Sequence, residues 1–265
     1  MTTRPSTLLT AAVAPIPPIS LEEMDSVKLL NRIDSKYLTN ESTLAEILDD
    51  ARAAGYRALE ISGSKITPYT SVYYDTPQLK TFLDHHNKRL TRQKVRTRVY
   101  VNSGETFLEI KRKNNHGRTK KKRIAIESGE LLDFSRNADA TAYLAKHSVF
   151  TAEQLSVVLS TEFWRITLVN PARTERLTID SCLNFENYRN GHRAGLKDAV
   201  IIELKQDGRA DSQMKGILLD HRVKPVRVSK YCVAVTLTDS AVKHNRFKAK
   251  IRAIEKTINS KIETI

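Results

Sequence analysis

Residues 107–113, FLEIKRK, alternate in type at every step. In an extended strand, residues two apart share a face. Glu109, Lys111 and Lys113 therefore point one way and Leu108 and Ile110 the other. The same Glu-x-Lys spacing recurs in AVIIELKQD, where Glu203 and Lys205 lie opposite Ile202 and Leu204. In QKVRTRVYV, Arg96 and Arg98 are again two apart. Guanidinium forks and amines in rows match phosphate oxygens. A minority carboxylate among them suits a divalent cation shared with phosphates. The chemistry indicated is the holding of a phosphate chain, with metal.

These side chains need strands to align them, and the alternation predicts seven. Residues 32–37 place Arg32, Asp34 and Lys36 on one face, and 95–101 place Arg96, Arg98 and Tyr100. Residues 107–113 and 121–127 add Glu109, Lys111, Lys121, Arg123 and Glu127. Residues 163–168, 176–180 and 201–205 add Phe163, Arg165, Arg176, Asp180, Glu203 and Lys205. A solvated sheet face explains any one such strand; seven together call for a common cause. Closing the sheet into a barrel with the charged faces inside is one economical arrangement. Lys120 and Lys122 then point away, toward solvent.

Helices are predicted from Ser20, with a Ser-x-x-Glu capping pattern, and over 40–55, 78–89 and 211–222. A helical interval is expected from about 129 to 159. The proline-rich residues 1–20 read as a disordered tail. Residues 21–240 form the main domain, and 241–265 end in a basic amphipathic helix. Many strands with inserted helices define an α+β chain.

Composition fits. Of 265 residues, 44 are Lys or Arg against 30 Asp or Glu, a formal net charge of +14, which favours a polyanionic partner. Cys182 and Cys232 lie in no metal or disulfide spacing, so they read as buried thiols in a reducing cytosol. The seven histidines show no ligand spacing, and the His85–His86 pair reads as surface polarity. No segment approaches the roughly 18 apolar residues of a membrane span. The expected location is cytoplasmic, or peripheral at a membrane through a partner protein.

NRIDSKYLT, VYYDT, VRTRVY, FLEIKRK, LTID, IIELK and VSKY occur in the order seen in VTC domains, which this chain resembles over roughly residues 25–240. These are the polyphosphate polymerase domains of the triphosphate tunnel metalloenzyme (CYTH-like) superfamily. The resemblance implies a closed antiparallel β-barrel, a triphosphate tunnel of about eight strands with flanking helices. It implies transfer of the γ-phosphate of ATP to polyphosphate with Mn2+ or Mg2+. Carried over by motif, the catalytic set is Lys36, Arg96, Arg98, Lys111, Arg165, Arg176 and Lys230. Lys121 or Arg123 supplies a further basic position, and Lys205 joins them in binding substrate. Glu203 matches the metal-binding glutamate. Glu109 either shares the metal or balances its lysines. Many tunnel enzymes open with Glu-x-Glu-x-Lys, whereas here Arg32-Ile33-Asp34-Ser35-Lys36 stands in that place, which disfavours simple triphosphatase chemistry.

Two rivals remain. One is a tunnel-type tripolyphosphatase or nucleoside triphosphatase. The other is a non-catalytic module for polyphosphate or another polyanion. Nucleic acid is disfavoured, because an RNA-binding sheet interleaves exposed aromatics with its cations. Here only Tyr100, with Phe107 and Phe163 behind it, stands on the basic faces. Chain translocation and regulation would call on a membrane-protein partner. The C-terminal helix is either solvated or in touch with anionic lipid.

Overall fold

The computed structural model describes residues 4–25, 27, 29, 32–208, 210–262 and 264. In chain order the elements are α1 (Thr7–Val13), β1 (Pro18–Ile19), α2 (Leu21–Asp25), β2 (Arg32–Asn40), α3 (Glu41–Ala53), β3 (Arg57–Leu59) and β4 (Thr67–Asp75). Then come α4 (Lys80–His86), β5 (Arg92–Tyr100), β6 (Thr106–Lys113), β7 (Thr119–Ile126), α5 (Ala138–His147), β8 (Ser156–Val169) and β9 (Glu175–Asn187). The chain continues through β10 (Arg193–Leu196), β11 (Ala199–Asp207), α6 (Gln213–Asp220), α7 (Lys230–Thr238) and α8 (Lys248–Ile258).

One 11-stranded sheet carries the fold, with the path β2-β11-β9-β8-β4-β5-β6-β7. Every pairing along this path is antiparallel. The sheet curls strongly. Lys111 on β6 and Glu203 on β11 are five strands apart, roughly 24 Å if flat at about 4.8 Å per strand. Yet they shift each other's titration. The expected closed barrel is not formed: β2 and β7 end the path without pairing to each other among the described residues. The result is a half-barrel. The physical reason lies in the two edges. β7 is exposed along most of its length and carries Lys120–Arg123, and β2 begins with exposed Arg32. A closing ladder would set cation against cation, and charged edges resist pairing.

The alternation read from sequence is what lets the sheet have a dry outside and a charged inside. Outside, Ile166, Leu168, Leu177, Ile179, Ile202 and Leu204 are buried under α1, α3 and α6. Val72, Val95, Leu108 and Ile110 are buried with Ala140 and Leu144 of α5. Inside, α4, α7 and α8 fill one end with Phe82, Tyr231, Val235, Phe247 and Ile254, packed on Tyr73, Phe163 and Ile201. The rest of the concave face is left as a polar trough.

Local signals place the helices. Asn40, Asn137, Ser212 and Ser229 cap α3, α5, α6 and α7 with side-chain oxygens. The helix expected from Ser20 keeps its capping pair but is described only as Leu21–Asp25; Ser26, Lys28, Leu30 and Asn31 lie outside the described residues. The helical interval of 129–159 shrinks to α5, because residues from Ser156 join the sheet, where Val158 and Leu159 are buried. The tail expected over 1–20 is instead folded. Ser6 caps α1, and Leu9, Val13, Ile16 and Ile19 are buried. Leu9 and Val13 lie four apart, so one helical face docks on α3. The prolines at 15, 17 and 18 fit the extended segment that leads into β1, which pairs with β3.

With Leu9 fully buried against α3, Leu9→Ala should cost about 2–4 kcal/mol of unfolding free energy, measurable by urea denaturation. A disordered tail would leave stability within about 0.5 kcal/mol.

Candidate functional site

The trough is built by registered rows. Lys36 on β2 faces Glu203 on β11, which faces Thr178 on β9. Asp34, Lys205 and Arg176 form the next row. Across the sheet, Arg96, Glu109 and Arg123 are cross-strand neighbours, as are Lys94, Lys111 and Lys121. Eleven of the twelve nominated residues come from strands. Lys230 instead enters from the first turn of α7, where its ammonium meets Asp180 and lies 3.7 Å from the centre of the Phe163 ring.

Three carboxylates organise the cations. Glu109 is 2% exposed and takes Nε and Nη2 of Arg96 at 2.7 and 2.6 Å, with Lys121 on its other oxygen. Burial pushes its carboxyl up, but Arg96, Arg98 and Lys121 outweigh burial and hold it well below the carboxylate range. Asp180 takes a two-point fork from Arg165, at 2.6 and 2.9 Å, plus Lys230. Its pKa is likewise lowered against burial by Arg165 and Lys230. Glu203 has one lysine, Lys205, at 3.3 Å. Burial raises its pKa, and Lys36, Lys205, Lys111 and Arg165 pull it well below the usual value.

The cations crowd one another. Burial, then the neighbouring Lys36, Lys111 and Arg96, push Lys94 down to about 7. Burial pushes Lys230 to about 7 despite Asp180, and Lys121 to about 8 despite Glu109. Lys111 and Lys205 are lowered by the same cause. Arg98 is 6% exposed, donates through Nε to Ser71 at 3.0 Å and lies against the Tyr69 and Phe163 rings. Arg123 is the outlier: it is exposed near the open edge, stacked 4.4 Å over Phe107.

Some participants were not nominated from sequence. Parity puts Asp180 on the charged face, but its task of holding both Arg165 and Lys230 depends on α7, which no strand pattern reveals. Lys94 extends the Arg96–Arg98 alternation by one step, a signal that was available. It donates to Ser229, the cap of α7, at 2.7 Å. The His85–His86 reading as surface polarity is corrected. His86 is 1% exposed, in contact with Phe82 and Phe247 and bonded through Nε2 to Asn245. His85 is held neutral, its pKa pushed to about 2 by burial and then by Lys94, Arg92, Lys111 and Lys250.

Among the described residues no three His, Cys, Asp or Glu side chains converge as a metal cage. Magnesium-type sites often take one or two carboxylates and complete the shell with water and substrate phosphates. Glu203 fits that mode. Glu109 and Asp180 each already serve two cations. Both cysteines are buried and unbridged, as the spacing implied. No helix among the described residues is long and apolar enough to cross a membrane.

A curled antiparallel sheet with a cation-lined concave face is the class of fold this chain forms. Solved structures agree. A Hippeastrum protein, HpAC1, a candidate adenylyl cyclase described as having a dominant triphosphatase activity, is 14% identical with a TM-score of 0.52 over 77% of this chain and 95% of its own. A candidate adenylate cyclase from Bacillus halodurans is 13% identical with a TM-score of 0.50, over 76% and 96%. No curated protein matches the sequence. The family model of the VTC domain matches residues 31–238, and the chain belongs to that family.

A bound polyanion stabilises the protonated lysines, so binding restores their depressed pKa values and takes up protons. At pH 8, with Lys94 and Lys230 near 7, tripolyphosphate binding should absorb about one to two protons in calorimetry across buffers of different ionisation enthalpy, after correction for the ligand's own titration. At pH 6 uptake by these lysines should vanish. Affinity should fall as pH rises from 7 to 9.

Proposed function

We propose that this chain is a polyphosphate polymerase-type phosphotransferase that moves the γ-phosphoryl group of ATP onto a polyphosphate chain. The observation that carries the reading is the state of the carboxylates. Two of the three in the trough are saturated by cations, and Asp34 is drawn to Arg32 at 2.9 Å. Hydrolysis needs a group to accept a proton from water. A terminal phosphate oxygen is already anionic and needs none.

The residues take the following parts. Lys36, Lys111, Arg96 and Arg165 cradle the triphosphate and offset the charge that builds on its outer oxygens, the main task in phosphoryl transfer. Lys230 and Arg176 grip the acceptor chain. Arg98, fixed by Ser71 and two rings, holds its guanidinium still. Glu203 would hold a divalent ion, which would add positive charge beside the phosphates when bound. The acceptor oxygen forms a bond to γ-phosphorus, and the bond from γ-phosphorus to the β,γ-bridging oxygen breaks. ADP leaves with that electron pair, and no proton need move. Proteins that accept or pass on the product, at a membrane or elsewhere, belong to the same proposal.

A second reading, tripolyphosphate or nucleotide hydrolysis, draws support from the triphosphatase activity described for the Hippeastrum protein. It would need water activated near Glu203.

Purified protein with ATP and Mn2+ should yield long-chain polyphosphate. Free orthophosphate without chain growth would instead establish the hydrolase. Glu203→Gln and Arg96→Ala should each lower the rate by 100-fold or more, in line with the loss of a charge-stabilising contact. Wild-type rates in both variants would sink the mechanism.

A further inference from the structure

Beyond bracing Arg98, the aromatic side chains on the concave face have no part in holding phosphate, yet they are not scattered. Phe163 stacks on Tyr69 at 5.6 Å, Tyr69 meets Tyr100 edge-on at 5.1 Å, and Tyr100 meets Phe107 edge-on at 5.7 Å. This chain of rings begins under the cations of the trough, where Arg165 and Lys230 lie over Phe163. It runs toward the end of the trough where β5 turns into β6. Phe163 and Tyr69 are buried, whereas Tyr100 and Phe107 are half-exposed. Arg123 covers part of Phe107 as a second planar group.

Beside Phe107 the surface sinks into a depression of about 470 Å³. Glu105, Phe107, Ala125 and Glu127 contribute to its lining, and all four have the parity of the concave face. Ala125 leaves room where a larger side chain would fill the floor. The depression thus offers one ring, Phe107, and two carboxylates among small and aliphatic neighbours, at the rim of an otherwise cationic trough, with Tyr100 beside Phe107. Glu105 accepts one bond from Ser103 and Glu127 one from the Glu130 backbone, which leaves each carboxylate further lone pairs. A phosphate chain has no use for two carboxylates or a ring. A planar heterocycle bearing an amino group has use for both: the rings supply stacking and the carboxylates accept its N–H bonds. The spacing also suits one molecule. From Arg96 to Tyr100 is four residues of strand, roughly 13 Å, comparable with the reach from a nucleotide's outer phosphates to its base.

We propose that Tyr100 and Phe107, with Glu105 and Glu127, form a base subsite that selects nucleoside triphosphates with an amino-bearing base over inorganic phosphate chains. This rests on the trough binding a triphosphate, as proposed above. It adds that the donor enters base-outward at the β5–β6 end.

The test is titration calorimetry of the full chain with ATP, ITP and inorganic tripolyphosphate in one magnesium buffer. Tyr100→Leu should weaken ATP about 5- to 20-fold, the lower range for loss of a base–aromatic contact, and leave tripolyphosphate within twofold. Retained tripolyphosphate binding also shows that the variant is folded. Wild-type protein should bind ATP several-fold tighter than ITP, whose base carries a carbonyl in place of the amino group. Equal losses for ATP and tripolyphosphate, or none for ATP, would overturn the base subsite and leave the phosphate trough standing. Wild-type protein that binds neither would overturn both. Saturation-transfer NMR on the wild type needs no variant: transfer to adenine H2 and H8 is expected, and its absence with ATP bound refutes the subsite.

Discussion

Repulsion among like charges is the constraint on which this molecule turns. Lysines and arginines from most strands of the main path project into one concavity, where burial and then one another's charge lower the lysine pKa values. Burying so many cations is costly unless something offsets them. Glu109 and Asp180 do so locally, each binding two. Their placement explains why the arginines are fixed while several lysines stay accessible. The remaining imbalance is a standing attraction for a polyanion. On the proposed function, a ligand rather than the protein completes the neutralisation.

That arrangement has to be held open mechanically. The outer apolar faces do this by burying the other side of most charged strands under α1, α3, α5 and α6. The inner plug of α4 and α7 is tied down by Asp75. This carboxylate is fully buried and accepts from Thr76 N, Thr81 N and Oγ1, Phe82 N and the Tyr231 hydroxyl. It thereby fixes the start of α4 and the first turn of α7 together. Lys230 and Ser229 sit in that turn, so one buried aspartate on β4 sets where α7 delivers its cation.

Much of this was legible in the sequence. Period-two alternation found the charged face of each strand, because one side of the sheet had to be apolar. It could place Glu109 and Lys121 on one face without knowing that they touch. Three things escaped it. The docking of α1 depends on a groove that exists only after α3 has packed on the sheet. The work of Asp180 depends on a helix from the far end of the chain. The open seam depends on the balance of charge between two edges never adjacent in sequence. Each is a long-range effect, and alternation is a local signal.

On the proposed function, the seam bears on how a long phosphate chain would be handled. A closed tube admits a polymer only by an end, and the time to thread it grows with length. A trough with one unpaired side lets a segment settle from the flank and leave by a short sideways step. Retention then depends on how many phosphates are gripped at once, a number set by the trough. On this geometry, dwell time is governed by local charge and salt, and is indifferent to how much polymer hangs outside.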